Sequence, residues 1–520
     1  MAATRHKPAL CEKASSPDNH LYSLVQNSLT QRRAGVLLHP TSLPGNRERG
    51  HLGENARHFI DFLQSAGLSV WQMLPLGPTH ADGSPYQCLS VHAGNPALIS
   101  LDDLMQAGWL PAESANHLPL HTCLQQARSG FEKAASQSDR KGYKAFKTAQ
   151  AGWLSDYALY QAIRVAQDGQ GWYHWPVALR DREPAALADV SVVQADAIEQ
   201  VCFEQYLFFS QWAALSEYAH QRGVALFGDI PIYVAHDSAD VWANRELFTI
   251  DSNGELEVVA GVPPDYFSAT GQRWGNPLYR WDRMREQDYN WWLERFTTQF
   301  ALFDIVRIDH FRGFEKYWEI PATAETAVDG RWVAGPGAEL FEQLQQHFGE
   351  LPVVAEDLGV ITPEVDALRL QFHFPGMKIL QFAFDGSEDN PYLPQNHEPL
   401  SVVYTGTHDN DTTLGWYQSL DDAGRSKVNA YLPKDSAEMP WALIRTAMQS
   451  TSVLTIIPMQ DLLALGSDAR MNTPGTSEWN WSWRFSWDQV RPELAGDLHA
   501  QIALTERLVA PETVSQNTGI

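Results

Sequence analysis

The chain has 520 residues, is 44% hydrophobic and carries a formal net charge of −25. That is ample for a large core, and the length admits about three or four ordinary domains or one long α/β barrel with insertions. The charge disfavours nucleic acid, an anionic membrane or a polyphosphate as partner; no block of basic residues offsets it, and a neutral substrate suits it better.

Residues 1–30 are polar and irregular and read as a loose leader, without the apolar core of a signal peptide. Cys11, Cys88, Cys123 and Cys202 are widely spaced with no CxxC, the usage of reduced thiols in a cytoplasmic protein. No apolar run reaches the about eighteen residues that a membrane span needs. Trp occurs 19 times, and its flat faces suit sugar rings as well as they fill a large core.

From residue 31 onward, apolar runs that end in turn residues recur. They are GVLLHPTSLPG (35–45), VWQMLPLGP (70–78), GVALFGDIPIYV (223–234), FDIVRIDHF (303–311), PVVAEDLG (352–359), GMKILQFAF (376–384), SVVYTGTHD (401–409) and SVLTIIPMQDLL (452–463). Continuous apolar runs bounded by Gly and Pro predict strands buried on both faces, as in parallel sheets. Helical patterns lie between them. Residues 55–68 stop at Gly67, residues 203–223 stop at Gly223, and residues 362–372 open with Thr362 as N-cap and Pro363 in the first turn. Strand and helix alternating about eight times predict a (β/α)8 TIM barrel over residues 31–510. Two stretches exceed a simple connection: a helical insertion at about 97–202 and a loop-rich insertion at about 235–300.

In such a barrel the active site forms at the C-terminal ends of the strands. There the runs deliver His39, Tyr86, Asp229, Arg307, Asp309, Glu356, Asp357, His408 and Asp409. Arg307 and Asp309 are two apart and share one side of a strand. A structural ion pair explains those two alone. Carboxylates ending three further strands favour catalysis, because like charges gathered in one mouth destabilise a purely structural site. Strand 1 offers a single His rather than an HxH pair, and no GxSxG, GxxxxGK[ST] or GxGxxG appears. Paired carboxylates acting on a glycosidic bond fit best: one attacks the anomeric carbon while the other protonates the leaving oxygen.

The segments RIDHFRGF (307–314), AEDLG (355–359) and YTGTHDNDTTLGWY (404–417) resemble signatures of the 4-α-glucanotransferases. This is the amylomaltase or disproportionating-enzyme family, glycoside hydrolase family 77. SPYQ (84–87), AGNPALI (93–99), GDIPIYV (228–234), GVPPDYFSATGQRWGNPLY (261–279), PGMKILQFAF (375–384) and RMNTPGTSEWNWSWR (470–484) are similar to it too, in the family's order, over about residues 33–490. The resemblance implies Asp309 as nucleophile, Glu356 as general acid/base and Asp409 as transition-state stabiliser. Arg307 would orient Asp309 and depress its pKa, and His408, Asp229 and Tyr86 would line the subsite of the reacting glucose. Ser84, Asp265, Gln272, Trp274, Asp357 and Asn480 would bind the glucan on either side. It also implies no metal or organic cofactor, and α-1,4-glucans with glucose as acceptor. Two positions depart from the family pattern: Trp479 stands where a Gly commonly precedes the Asn of NWxWR, and SVHAGNP replaces the more usual SAFAGNP.

Transfer and hydrolysis share the first chemical step. Residues 261–279, with Gly261, Gly271 and Gly275 among Tyr266, Phe267, Trp274 and Tyr279, read either as a lid that excludes water or as an ordinary surface loop. An α-glucan hydrolase with the same residues and a non-catalytic glucan-binding scaffold are the competing readings.

Overall fold

A computed structural model describes residues 29–45, 47–265, 268–432 and 438–509. The expected leader, apart from its last two residues, lies outside these residues, as do Cys11, Tyr266 and Phe267.

All eight apolar runs form strands of one parallel sheet. They are β1 (Arg33–Leu37), β2 (Val70–Gln72), β3 (Ala225–Pro231), β4 (Ile305–Asp309), β5 (Val353–Ala355), β6 (Gly376–Ile379), β7 (Ser401–Tyr404) and β8 (Leu454–Pro458). The order is β6-β7-β8-β1-β2-β3-β4-β5. The seam between β5 and β6 is joined by Ala355 N–H donating to Pro375 O at 2.9 Å, so the sheet closes into a (β/α)8 barrel.

Strand parity decides what enters the barrel. Leu37, Val70, Phe227, Ile305, Val354, Ile379, Val402 and Ile456, one from each strand, pack into a single inner core. Their neighbours Val36, Trp71, Leu226, Val306, Val353 and Val403 pack outward with the surrounding helices. Alternation is therefore present although both faces are apolar, which is why the runs read as continuous.

The helices follow local rules. Glu54–Ser65 buries Ala56, Phe59, Ile60 and Leu63 on one face, and the chain leaves it through Gly67 at φ +74°. Pro363–Gln371 starts after Thr362 as expected, but the Thr362 side chain makes no cap hydrogen bond. Between β2 and β3 the chain forms a succession of helices, ending in Ala195–His220. The sequence boundary near 202 falls inside that 26-residue helix, so the last helix of the excursion is continuous with the one that packs on the barrel.

The stretch read as loop-rich holds more order than expected. Val258–Val262 and Gln272–Pro277 pair antiparallel, and the first also pairs with Lys316–Pro321, which in turn pairs with Arg331–Ala334. Within 261–279, Gln272–Pro277 is thus one arm, and residues 261–262 the end of the other, of an antiparallel pair in a four-stranded sheet beside the barrel mouth. Gly261 is required there, because a Cβ would stand 2.1 Å from Gln272 O on the paired strand.

Candidate active site

Ile305 points into the barrel, so Arg307 and Asp309 continue on the same side and reach its mouth. The same parity carries Asp229 inward after Phe227 and Glu356 inward after Val354. The register Asp229↔Arg307 and the hydrogen bond from Glu356 N to Ile308 O, 3.0 Å, set these side chains at one level.

Arg307 organises the cluster. Its Nη1 donates to Asp229 Oδ2 and, at 3.2 Å, to the Tyr86 hydroxyl, while Nη2 donates to Asp309 Oδ1 at 2.5 Å. Tyr86 OH donates to Asp229 Oδ2 at 2.7 Å. Asp229 is 1% exposed. It therefore holds Arg307 and Tyr86 from beneath, and its influence on a substrate passes through those two residues.

Glu356 is held by main-chain donors. His310 N–H donates to Oε2 at 2.6 Å and Leu358 N–H to Oε1 at 3.1 Å. His310 adopts φ +53°, a left-handed turn directly after Asp309 that ends the strand next to Glu356. Its ring lies 4.8 Å from that of Trp274, nearly perpendicular. Burial pushes the Glu356 carboxyl above its ordinary range; Arg307 and the two N–H donors oppose this.

Asp309 departs from expectation. Arg307 does favour its anion, but burial, reinforced by Asp229, Glu356 and Asp409, outweighs that and raises its pKa. The pair therefore titrates as a unit. The Asp309 side chain keeps 31% of its surface open to the cleft and bonds Arg307 directly, whereas Glu356 bonds only main-chain N–H groups.

Asp409 sits on the opposite rim after β7. Its Oδ1 accepts from Asn472 Nδ2 at 2.6 Å, and its carbonyl accepts from Arg470 Nη2 at 2.5 Å. His408 stacks on Tyr86 with centroids 5.2 Å apart, and burial lowers its pKa, so it is neutral at pH 7. His39 lies close by, driven down to about 3 by burial.

These residues line a cleft at the C-terminal mouth of a (β/α)8 barrel, with a buried Arg clamped between two of several converging carboxyls. A family model described as 4-alpha-glucanotransferase matches residues 38–489. The chain belongs to the 4-alpha-glucanotransferase family. A 4-alpha-glucanotransferase of Thermus thermophilus is 49% identical over 496 residues, covering 92% of this chain and 99% of that protein. One from Synechocystis is also 49% identical, over 90% of this chain and 97% of its own. Among solved structures, the amylomaltase of Streptococcus agalactiae in complex with acarbose superposes with a TM-score of 0.89 at 35% identity, covering 92% of this chain and all of that one.

The remaining residues assigned through the 4-alpha-glucanotransferase resemblance fall into three places. Ser84 shapes the turn that presents Tyr86: its Oγ accepts from Tyr86 N–H at 3.4 Å. Gln272 and Trp274 lie on the hairpin, joined by Trp274 Nε1 donating to Gln272 Oε1 at 3.1 Å, and Trp274 reaches His310. Asp265 sits on the exposed turn of that hairpin, accepting from Ser268 N–H at 2.8 Å. Asn480 braces the loop after β8, accepting from Thr473 N–H at 2.9 Å and donating to Thr476 O.

Asp357 differs. It follows outward-facing Ala355, accepts from Met377 N–H at 2.6 Å and approaches Arg369 at 3.4 Å, with only 7% of its side chain exposed. Gly376 makes room for it, since a Cβ there would stand 2.1 Å from Oδ2. Asp357 thus ties the β5–β6 seam together. Sequence reasoning missed the main-chain donors of His310 and Leu358 and the support from Asn472; a backbone N–H leaves no side-chain signal. Among the described residues, no group of three or more His, Cys, Asp or Glu side chains is arranged to hold a metal ion.

Proposed function

We propose that this 4-α-glucanotransferase moves α-1,4-glucan segments between chains by double displacement, with Asp309 as nucleophile. Asp309 Oδ attacks C1 of the bound glucosyl unit, the C1–O4 bond breaks, and Glu356 gives its proton to the departing O4. The resulting carboxylate of Glu356 then takes the proton of an acceptor 4-hydroxyl. That oxygen attacks C1, the C1–Asp309 bond breaks, and two inversions leave the α configuration unchanged.

The observation that carries this reading is the unequal holding of two adjacent carboxyls. Asp309 bonds a guanidinium, whereas Glu356 bonds only neutral N–H groups, which separates an anion from an acid. Asp409, fixed by Asn472, would take sugar hydroxyls on the facing rim and stabilise the distorted ring. Arg307, Tyr86 and His408 would bound the reacting glucose, with Asp229 holding Arg307 and Tyr86. Gln272 and Trp274 on the hairpin and Asn480 on the loop after β8 would contact the glucan farther out, with Asp265 and Ser84 at the edges.

We assign donors to maltooligosaccharides and longer α-1,4-glucans, and acceptors to the same chains and glucose. Catalysis belongs to the barrel of residues 31–510, with the insertions at about 97–202 and 235–300 as its walls. Cys88, Cys123 and Cys202 are unpaired, in keeping with a cytoplasmic location. No described helix is long and apolar enough to cross a membrane.

Incubation with maltotriose tests the reaction. Transfer yields glucose and a ladder of longer glucans at nearly constant reducing ends; a steady rise in reducing ends without longer products would show hydrolysis instead.

A further inference from the structure

The loop after β8 is rooted in the reacting cluster. Asn472 donates its side-chain amide to Asp409 and its N–H to His408 O, 3.1 Å, and Trp481 N–H donates to Met471 O at 2.8 Å. Trp481 turns inward, its ring about equally close to Tyr86 and His408, with centroids 6.0 Å from each. Two residues earlier, Trp479 does the opposite and is 88% exposed, at the end of an exposed crest over 473–479.

Trp479 also occupies backbone at φ +65°, the left-handed region that glycine enters freely and a bulky residue avoids. Its carbonyl is fixed there by Ser482 Oγ at 2.8 Å. A large apolar ring held in water on strained backbone contributes nothing to the fold, and such strain collects where a site uses it. A flat indole face beside the cleft matches the flat C–H face of a pyranose, and the loop's attachment to Asp409 and His408 continues the glucan path outward.

We propose that Trp479 is a stacking platform for a glucose unit beyond those bound at the reacting centre, so that it raises the preference for long glucan chains. The proposal rests on the glucan-transfer reading above.

The test compares kcat/KM for maltotriose and for amylose in wild type, Trp479→Ala, Trp479→Gly and Trp479→Phe. Loss of one aromatic stacking contact should lower the amylose value about three- to ten-fold more than the maltotriose value in the Ala and Gly variants. The Phe variant should keep most of the preference. Glycine suits φ +65°, so the Gly variant separates loss of the ring from loss of folding. Equal losses on both substrates, or none, overturn the platform while leaving glucan transfer intact. A wild-type protein inactive on both overturns the transfer reading and the platform with it.

Discussion

The main-chain nitrogen of His310 donates to the carboxyl of Glu356 at 2.6 Å. The residue that follows the candidate nucleophile therefore positions the candidate acid. The left-handed turn at His310, φ +53°, ties the end of β4 to the side chain after β5.

Glu356→Gln removes the proton donor at unchanged size and keeps one of the two N–H bonds, because the amide oxygen can still accept while the amide nitrogen is itself a donor. Turnover of maltooligosaccharides should fall about 10²–10⁴-fold, the usual worth of general acid–base catalysis, with an unchanged circular dichroism spectrum. Attack on an α-glucosyl fluoride, whose leaving group needs no proton, should fall far less. Equal losses on both substrates would remove Glu356 from the acid role.

The pH profile follows from the same pair. Activity needs Asp309 ionised and Glu356 protonated. As pH falls through the lower apparent pKa the pair gains a second proton and the rate drops; as pH rises through the upper one Glu356 loses its proton and the rate drops. Burial raises both carboxyls, so both limbs should lie at higher pH than ordinary carboxylates give. In Glu356→Gln the alkaline limb of residual activity should disappear. A wild-type profile flat to high pH would contradict this.

Tyr86→Phe deletes the hydroxyl that donates to Asp229 and accepts from Arg307 but keeps the ring against His408. A hydrogen bond to a charged group is worth about 1.5–3 kcal/mol, so kcat/KM should drop about ten- to one-hundred-fold. Steady-state kinetics beside a melting curve decide it: a stability loss with unchanged kcat/KM would place the hydroxyl in the fold alone.

Asp357 should behave as a seam residue. Asp357→Ala leaves Met377 N–H without an acceptor and the buried Arg369 with Asp366, at 3.2 Å, as its remaining carboxylate. The expected cost is about 1–3 kcal/mol of stability, as for a buried donor left unsatisfied, read as a lower midpoint in urea. A selective rise in KM for long glucans at unchanged stability would return Asp357 to the glucan site.

His220 gives a stability test away from the chemistry. Burial lowers its pKa, but the bond to Asp304 at 2.8 Å outweighs burial and raises it. A raised folded-state pKa means that the stabilisation is fully present below the ordinary value of about 6.5 and is lost as pH rises through the folded value. His220→Ala should therefore destabilise most in mildly acidic buffer, by about 1–2 kcal/mol, and least at alkaline pH. The reverse trend in melting temperature would refute the pairing.

How much of this was legible beforehand depends on what leaves a mark in side chains. The eight barrel strands were legible because strands buried on both faces read as apolar runs. The inward placement of Asp309, two residues beyond Arg307, follows from strand period alone. Asp357 turns away from the mouth for the same reason that Glu356 turns towards it: neighbours on a strand face opposite sides, and proximity in sequence hides that difference. The four-stranded sheet was missed because its strands are short, partly exposed and paired across β4; Arg331–Ala334 is mostly solvent-facing, without the apolar alternation that marks a strand. The pKa of Asp309 depends on burial and on Asp229 and Asp409, which only folding brings together.

Trapping the intermediate probes the nucleophile. In Glu356→Gln, an α-maltotriosyl fluoride can still glycosylate the protein, while the return step lacks its base, so the covalent adduct should accumulate. Mass spectrometry of peptic fragments should find one maltotriosyl addition, on the fragment carrying Asp309. The same mass on a fragment carrying Asp409 or Asp229, or turnover of the fluoride with no adduct at any carboxylate, would contradict Asp309 as the nucleophile.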